Sequence, residues 1–208
     1  MYLADVFIGS EAIGGAVLAG LGYVAKDLYQ DMRLKRTKPS LGLEIVPNLA
    51  PSKVDGRSCS FARLSISNAP DRETATGVSV QIEEVGGPSD PEGAAYVAGC
   101  YLAWAKADRG KPYVEASSIT LPGGGTRQVD LVHLNEGVRG EMIVDVRPQP
   151  GNHLNYFNPG SFSFKLAVSA DNAGTERYGL EVEYREGWSG DYESAAEHLV
   201  VRDLRLLQ

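Results

Sequence analysis

Alternation of apolar and polar residues runs through the second part of the chain. Each alternating run predicts a β-strand that buries one face. The clearest runs are 61–67, 78–83, 162–170 and 178–184, and less regular runs lie at 43–46, 101–106, 127–134, 141–146 and 199–206. Residues 171–174 (DNAG) join two of these strands and predict a hairpin turn. So many amphipathic strands with few helical segments predict a mainly β domain, an antiparallel β-sandwich, with a barrel as the alternative.

The first part of the chain has a different pattern. From Ala4 to Ala25 the residues are apolar or small, and only Asp5 and Glu11 carry a charge. A helix of this length spans about 30 Å, the thickness of the hydrocarbon core of a bilayer. No basic residue precedes the run, so we expect an uncleaved transmembrane helix. A buried or oligomer-forming helix and a cleaved signal peptide are the alternatives.

Small residues recur at a spacing of four within this segment. Gly15 precedes Ala19, and Ala16 precedes Gly20, by one helical turn. This spacing allows a second helix to approach closely, and Glu11 would then be available for an interhelical hydrogen bond. The pattern predicts helix–helix packing and a possible homo-oligomer, unless the small residues reflect composition alone.

Charge divides the chain near Pro39. Residues 1–38 contain five basic and four acidic residues, whereas residues 39–208 contain 15 basic and 23 acidic residues. All five basic residues of the first part follow the apolar run, within residues 26–38. The positive-inside rule therefore predicts a single-pass membrane protein with its large C-terminal domain in the cytoplasm. We expect a transmembrane helix with a basic extension at 1–38, in contact with membrane lipid, and a β-sandwich domain at 39–208.

The composition excludes several classes of function. The net charge is −7 over 208 residues, which disfavours binding to nucleic acid. Two cysteines, Cys59 and Cys100, are too few for a disulfide scaffold or a four-cysteine zinc site. In a cytoplasmic domain we expect both to be thiols.

Motifs for catalysis are absent from the sequence. It contains no nucleophile elbow and no zinc-binding HExxH helix, and the glycine-rich residues 122–126 lack the lysine of a phosphate-binding loop. His133, His153 and His198 have no metal-ligand spacing. We therefore predict no enzyme, no cofactor and no metal; a hydrolase built from dispersed residues is the alternative.

Aromatic residues in loops are the candidate binding residues. Tyr156 and Phe157 lie in a polar loop, and Trp188 and Tyr192 lie in the stretch GWSGDY. Exposed aromatic residues flanked by polar groups are typical binding anchors, although core packing is the alternative for each pair. A carbohydrate- or small-ligand-binding sandwich would instead use Trp104, Tyr156 or Trp188 as a stacking platform.

Three short segments resemble immunoglobulin-like modules of the CARDB and fibronectin type III kind. They are residues 61–68 (FARLSISN), 119–125 (ITLPGGG) and 166–172 (LAVSADN). The resemblance covers about residues 42–208 and implies an immunoglobulin-like β-sandwich with a binding or scaffolding role. The cysteines depart from the usual inter-sheet arrangement, and the loops at 86–100 and 147–160 are long. We expect a noncatalytic, membrane-anchored module that mediates interaction with a protein partner.

Overall fold

A computed structural model describes residues 26, 28, 29, 37–54, 56–87, 91–105, 118–136, 141–149 and 154–207. The chain divides into two units, Met1–Lys38 and Pro39–Gln208. Within the described residues, no helix is long and apolar enough to cross a membrane. The apolar segment at 4–25 lies outside them, and so do its predicted packing residues, which are Glu11, Gly15, Ala16, Ala19 and Gly20.

The second unit is built mainly of β-strands. The strands are β1 (Leu41–Ile45), β2 (Ala50–Val54), β3 (Arg57–Asn68), β4 (Ala75–Gly86), β5 (Tyr101–Trp104), β6 (Ile119–Leu121), β7 (Thr126–Asn135), β8 (Met142–Val144), β9 (Val146–Arg147), β10 (Tyr156–Phe157), β11 (Gly160–Ser169), β12 (Glu176–Tyr184) and β13 (Leu199–Leu207). The described residues of this unit also include two short helices, α1 (Pro91–Val97) and α2 (Ala195–His198). The described strand pairs are antiparallel, which confirms the predicted mainly β, antiparallel class.

The strands form one sheet that nearly closes on itself. Its main order is β1-β3-β7-β5-β4-β11-β12-β13, and the end strands β1 and β13 lie beside each other. Strand β5 joins the group β1-β3-β7 to the group β4-β11-β12-β13, because Trp104 pairs with β7 whereas Tyr101 pairs with β4. The sheet is therefore continuous and barrel-like along this side. The line along which β1 and β13 face each other without pairing is called the seam below.

The inward-facing residues of the alternating runs form the core. Leu64, Ile66, Ile82, Leu166 and Leu180 are each at most 2% exposed. These positions are two residues apart along their strands or lie on neighbouring strands, so their side chains share one face of the sheet. The alternation predicted from the sequence thus corresponds to the core.

A β-bulge in β7 changes which residues face outward. Ala62 pairs with Val132 but Arg63 pairs with Asp130, so Leu131 is the extra residue. Both Leu131 and Val132 join the core. A bulge places two consecutive residues on one side of a strand. Asp130 and its neighbour across the bulge, His133, therefore share the outer face.

Some local elements differ from the predictions and others agree. The long loop expected at 86–100 contains helix α1, and the strands β2, β6 and β10 were not predicted. Asp145 divides the strand expected at 141–146 into β8 and β9. The hairpin turn at 171–174 is confirmed, since β11 and β12 pair directly across it. Residues 195–198 form the helical turn α2.

Candidate functional site

The connection from β12 to α2 carries two aromatic side chains and is called the aromatic loop (residues 185–194). Trp188 Nε1 donates a hydrogen bond to the carbonyl oxygen of Asp191 at 2.7 Å, and Ser194 Oγ donates to the same oxygen at 3.0 Å. The hydroxyl of Tyr192 donates to the carbonyl oxygen of Ser52 on β2 at 2.8 Å. The two ring centroids are 6.4 Å apart, with 49° between the ring planes. Hydrogen bonds within the loop and to β2 therefore hold both rings in place.

Two glycines and a histidine shape the base of the aromatic loop. Gly187 and Gly190 have φ angles of 103° and 94°, which glycine adopts without steric cost. His198 Nδ1 lies 3.1 Å from the carbonyl oxygens of both Arg185 and Glu186, so this nitrogen carries the proton. The imidazole of His198 thus closes the loop at the point where the chain enters β13.

An apolar cavity of about 180 Å³ lies where β1 ends and β13 begins, and its wall includes Ala196 of α2, the helix that follows the aromatic loop. It is called the seam pocket. Its walls come from the β1–β2 connection, from β3 and from the α2–β13 junction; they include Ile45, Pro47, Leu49, Arg63, Ala196, Leu199 and Val201. The pocket exists because β1 and β13 do not pair, and so the apolar side chains there are not fully covered by a neighbouring strand.

Four ionisable side chains form a polar network on the face of β3, β7 and the β8–β9 junction that is opposite the core. Asp130, His133 and Asp145 are nevertheless buried there. Arg63 Nε donates to Asp130 Oδ1 at 2.6 Å, and His133 Nδ1 lies 2.7 Å from Asp145 Oδ2. The ring of Phe61 stacks on His133 with centroids 4.6 Å apart, and the Arg63 guanidinium lies 5.6 Å from the same ring. Because Arg63 also lines the seam pocket, the network reaches the pocket wall.

The polar network contains closely spaced carboxylates in a buried setting. Burial raises the pKa of Asp130, and the negative charge of Asp145 raises it further. The hydrogen bond and charge of Arg63, and the charge of His133, act in the opposite direction. The ion pair thus holds the side chains of Arg63 and Asp130 together between β3 and β7. In the part of the chain that the structure describes, no group of three or more His, Cys, Asp or Glu side chains has the geometry of a metal site.

Sequence reasoning did not identify the polar network. A polar residue at an alternating strand position is normally solvent-facing, so Arg63 and Asp130 resemble ordinary surface residues. The available signal was Asp145, a lone acid within the apolar run MIVDV. A charged residue inside such a run needs a partner, because an unpaired buried charge is unfavourable.

The four predicted binding residues fall in two separate places. Tyr156 is half-buried on β10, and Phe157 is 2% exposed and packs edge-to-face on Phe162 with centroids 5.4 Å apart. The ring of Phe157 is therefore part of the core, as the packing alternative holds. Trp188 is half-buried and Tyr192 is 38% exposed, and the aromatic loop brings these two together.

The geometry does not fit a planar carbohydrate platform at the residues considered for it. Trp104 is only 6% exposed and packs in the core, so its ring has no accessible face. The 49° angle between Trp188 and Tyr192 also prevents the two rings from stacking on one sugar face.

The remaining candidates occupy separate positions. Cys59 on β3 and Cys100 before β5 are both buried thiols, and burial raises the pKa of Cys100. A thiol with a raised pKa forms little of the nucleophilic thiolate. His133 belongs to the polar network and His198 to the aromatic loop, while His153 lies outside the described residues.

No protein-family model, curated protein or solved structure matches this chain.

Proposed function

We propose that the chain is a noncatalytic binding module that engages a protein partner through the aromatic loop and the seam pocket. The observation that carries this proposal is that hydrogen bonds fix Trp188 and Tyr192 in the loop leading into α2, whose Ala196 lines an apolar pocket. Tryptophan and tyrosine are the residues most enriched among those that dominate binding energy at protein interfaces.

Order in the free aromatic loop favours binding. A loop that must become ordered on association loses conformational entropy, which weakens the complex. Here Asp191 accepts two hydrogen bonds through its carbonyl oxygen, and its carboxylate accepts a third from the backbone NH of Glu193 at 3.1 Å. Much of the ordering is thus present before a partner arrives.

The size of the seam pocket favours a side chain over a free small molecule. Pockets that hold drug-sized ligands have volumes of roughly 300–1,000 Å³. The seam pocket, at about 180 Å³, is smaller than that range. It suits one or two apolar side chains of a protein partner, and this is why we prefer a protein to the carbohydrate or small-ligand alternative.

We propose in addition that the module is tethered to a membrane by residues 4–25 and faces the cytoplasm. The support is the apolar run, followed by five basic residues within 26–38. We expect the full chain to stay with membranes during alkaline carbonate extraction and a chain lacking residues 1–25 to be released. A C-terminal reporter that works only outside the cytoplasm should be inactive; an active reporter would overturn the orientation.

An immunoglobulin-like sandwich is the finer architecture that we propose for residues 39–208. Its support is the antiparallel sheet of alternating strands and the three short segments that resemble such modules. An experimental structure with two separate packed sheets would agree with this architecture. A fully paired barrel, with hydrogen bonds across the seam, would contradict it.

Site-specific photo-crosslinking in cells tests the binding proposal. A photoreactive amino acid replaces Ala196, which lines the pocket and is exposed, and in a matched control it replaces Thr175 in the exposed β11–β12 hairpin. We expect a discrete crosslinked protein from position 196 that is absent from position 175 and is reduced by Trp188→Ala. Identical products from both positions, or no product from position 196, would overturn the proposal.

A further inference from the structure

We infer that the segment entering the seam pocket carries an apolar anchor flanked by basic residues. This inference rests on the proposed function and specifies the chemistry of the partner. It follows from the distribution of charge around the apolar pocket.

Helix α2, which contributes Ala196 to the wall of the pocket, and the aromatic loop before it are both acidic. Between residues 186 and 197 there are four carboxylates, on Glu186, Asp191, Glu193 and Glu197, and no lysine or arginine. All four residues are exposed. Among the ion pairs of the described residues, none involves these four carboxylates. Their negative charge is therefore available to a partner.

The arginines on either side of residues 186–197 and in the pocket wall are already in ion pairs. Arg185 forms an ion pair with Glu183 at 2.8 Å, and Arg202 lies 3.4 Å from the same carboxylate group. Arg63 in the pocket wall is balanced by Asp130 at 2.6 Å. An anionic ligand would thus have to displace an internal carboxylate to obtain a cation here.

On the β2 side, the positive charges face another acid. Hydrogen bonding to Ser58 lowers the pKa of Glu136, and the positive charges of Lys53 and Arg57 lower it further. Glu136 in turn accepts a hydrogen bond from the backbone NH of Ser58 at 3.0 Å. Glu136 offsets one of these two positive charges and one is left over, whereas the aromatic loop and α2 carry four carboxylates without an ion pair among the described residues. The excess charge of these segments is therefore negative.

These features together define the partner. The apolar walls, which include Ile45, Leu199 and Val201, select an aliphatic or aromatic side chain for the interior. The exposed carboxylates select lysine or arginine within a few residues of that anchor, since charges interact over about 8 Å at physiological salt. Complementary charge of this kind mainly increases the association rate and the specificity.

Binding of synthetic peptide pools to the purified full chain tests this inference. Three pools share a central position occupied by leucine, phenylalanine or tyrosine, and are flanked by lysine, by serine or by glutamate. We expect the lysine pool to bind at least about threefold more tightly than the serine pool, with the difference lost at high salt. We expect the glutamate pool to bind most weakly.

Matched variants show which carboxylates cause the preference for lysine-flanked peptides. Glu193→Gln with Glu197→Gln should reduce the preference for lysine flanks and leave binding of the serine pool unchanged. The control, Glu73→Gln with Asp171→Asn, removes two exposed carboxylates elsewhere and should retain the preference. Ala196→Trp, at an exposed position on the pocket wall, should weaken binding of all pools, with circular dichroism as the check on folding.

The outcomes separate the inference from the proposed function. Equal binding of lysine and serine pools, lost in Ala196→Trp, would overturn the basic-partner inference and leave the binding module intact. A preference for glutamate flanks would overturn the inference as well. Failure of every pool to bind, together with no crosslink at position 196, would overturn both.

Discussion

The hydroxyl of Tyr192 donates a hydrogen bond to the carbonyl oxygen of Ser52, a residue 140 positions earlier in the chain, at 2.8 Å. Strand β2 is an edge strand that pairs with β3, and Tyr192 provides a donor to one of its carbonyl groups. This hydrogen bond joins the aromatic loop, which leads through α2 into β13, to β2 on the β3 side of the sheet.

Removing this hydrogen bond should loosen the aromatic loop while leaving the fold intact. We expect Tyr192→Phe to lower the free energy of unfolding by about 0.5–1.5 kcal/mol, because the ring is kept and one hydrogen bond is lost. Amide hydrogen exchange should increase within residues 187–194. Tyr101→Phe, on β5, is the control for loss of a tyrosine hydroxyl. Unchanged exchange in the aromatic loop of Tyr192→Phe would show that the bond does not order it.

The buried amide of Asn68 connects three segments of the chain. Its Oδ1 accepts from the backbone NH of Ser40, and its Nδ2 donates to the carbonyl oxygens of Glu73 and Leu121, at 2.7 and 3.2 Å. Asn68→Ala leaves these backbone groups without their partner, so we expect a loss of about 1–3 kcal/mol in the free energy of unfolding. Urea denaturation measures this loss. A variant as stable as the wild type would mean that water replaces the amide without cost.

The ion pair between Arg63 and Asp130 should contribute to stability mainly because either charge would be unfavourable if it were buried without its partner. Arg63→Met leaves the Asp130 carboxylate buried near Asp145, and we expect the free energy of unfolding to fall by about 3 kcal/mol. The double variant Arg63→Met/Asp130→Leu should recover much of that loss, since no unpaired charge remains. Urea unfolding of the wild type, both single variants and the double variant gives the coupling free energy between Arg63 and Asp130. Additive effects would contradict the argument.

The raised pKa of Asp130 predicts a pH dependence of defined sign. The folded chain holds this proton to a higher pH than the unfolded chain, where the ordinary value is 3.8. Stability contributed by Asp130 is therefore present below that value and is lost as the pH rises through the raised folded pKa. Relative to Asp130→Asn, the urea midpoint of the wild type should fall over this window. Asp71→Asn, at an exposed position, serves as the control; a rising difference would contradict the sign.

Tyr178 and Tyr184 should ionise at a higher pH than the ordinary pKa of a tyrosine, 10.0. Burial raises the pKa of Tyr178 to about 12, assisted by its hydrogen bond to Glu176, and burial raises that of Tyr184 to about 12, assisted by the charges of Glu186 and Glu141. Ultraviolet titration should show a fraction of tyrosines that ionises only near pH 12, and this fraction should disappear on unfolding. Each of Tyr178→Phe and Tyr184→Phe should remove one residue from it.

The same tyrosines link stability to alkaline pH. Their folded pKa values exceed the ordinary value of 10.0, so the stability they contribute is complete below pH 10 and is lost as the pH rises towards 12. Urea midpoints measured across this range should fall less steeply in the double variant Tyr178→Phe/Tyr184→Phe. An equal slope in wild type and variant would contradict the linkage.

The sequence by itself determined the class of the domain and most of its strands. Alternation such as that of Leu64 and Ile66 depends only on neighbouring residues, because side chains of an extended backbone point to opposite faces in turn. The hairpin at 171–174 was predictable for the same reason, since the turn and both strands are contiguous. Trp188 and Tyr192 could be selected as a candidate pair because they are four residues apart.

Only the tertiary structure decided how these elements meet. Strand order places β1 beside β13, and this non-local arrangement creates the seam pocket from residues as far apart as Ile45 and Val201. The bulge at Leu131 places Asp130 and His133 on the same outer face, where a regular strand would separate them. Pairing register and bulges depend on packing between distant segments, and so no local pattern contains them.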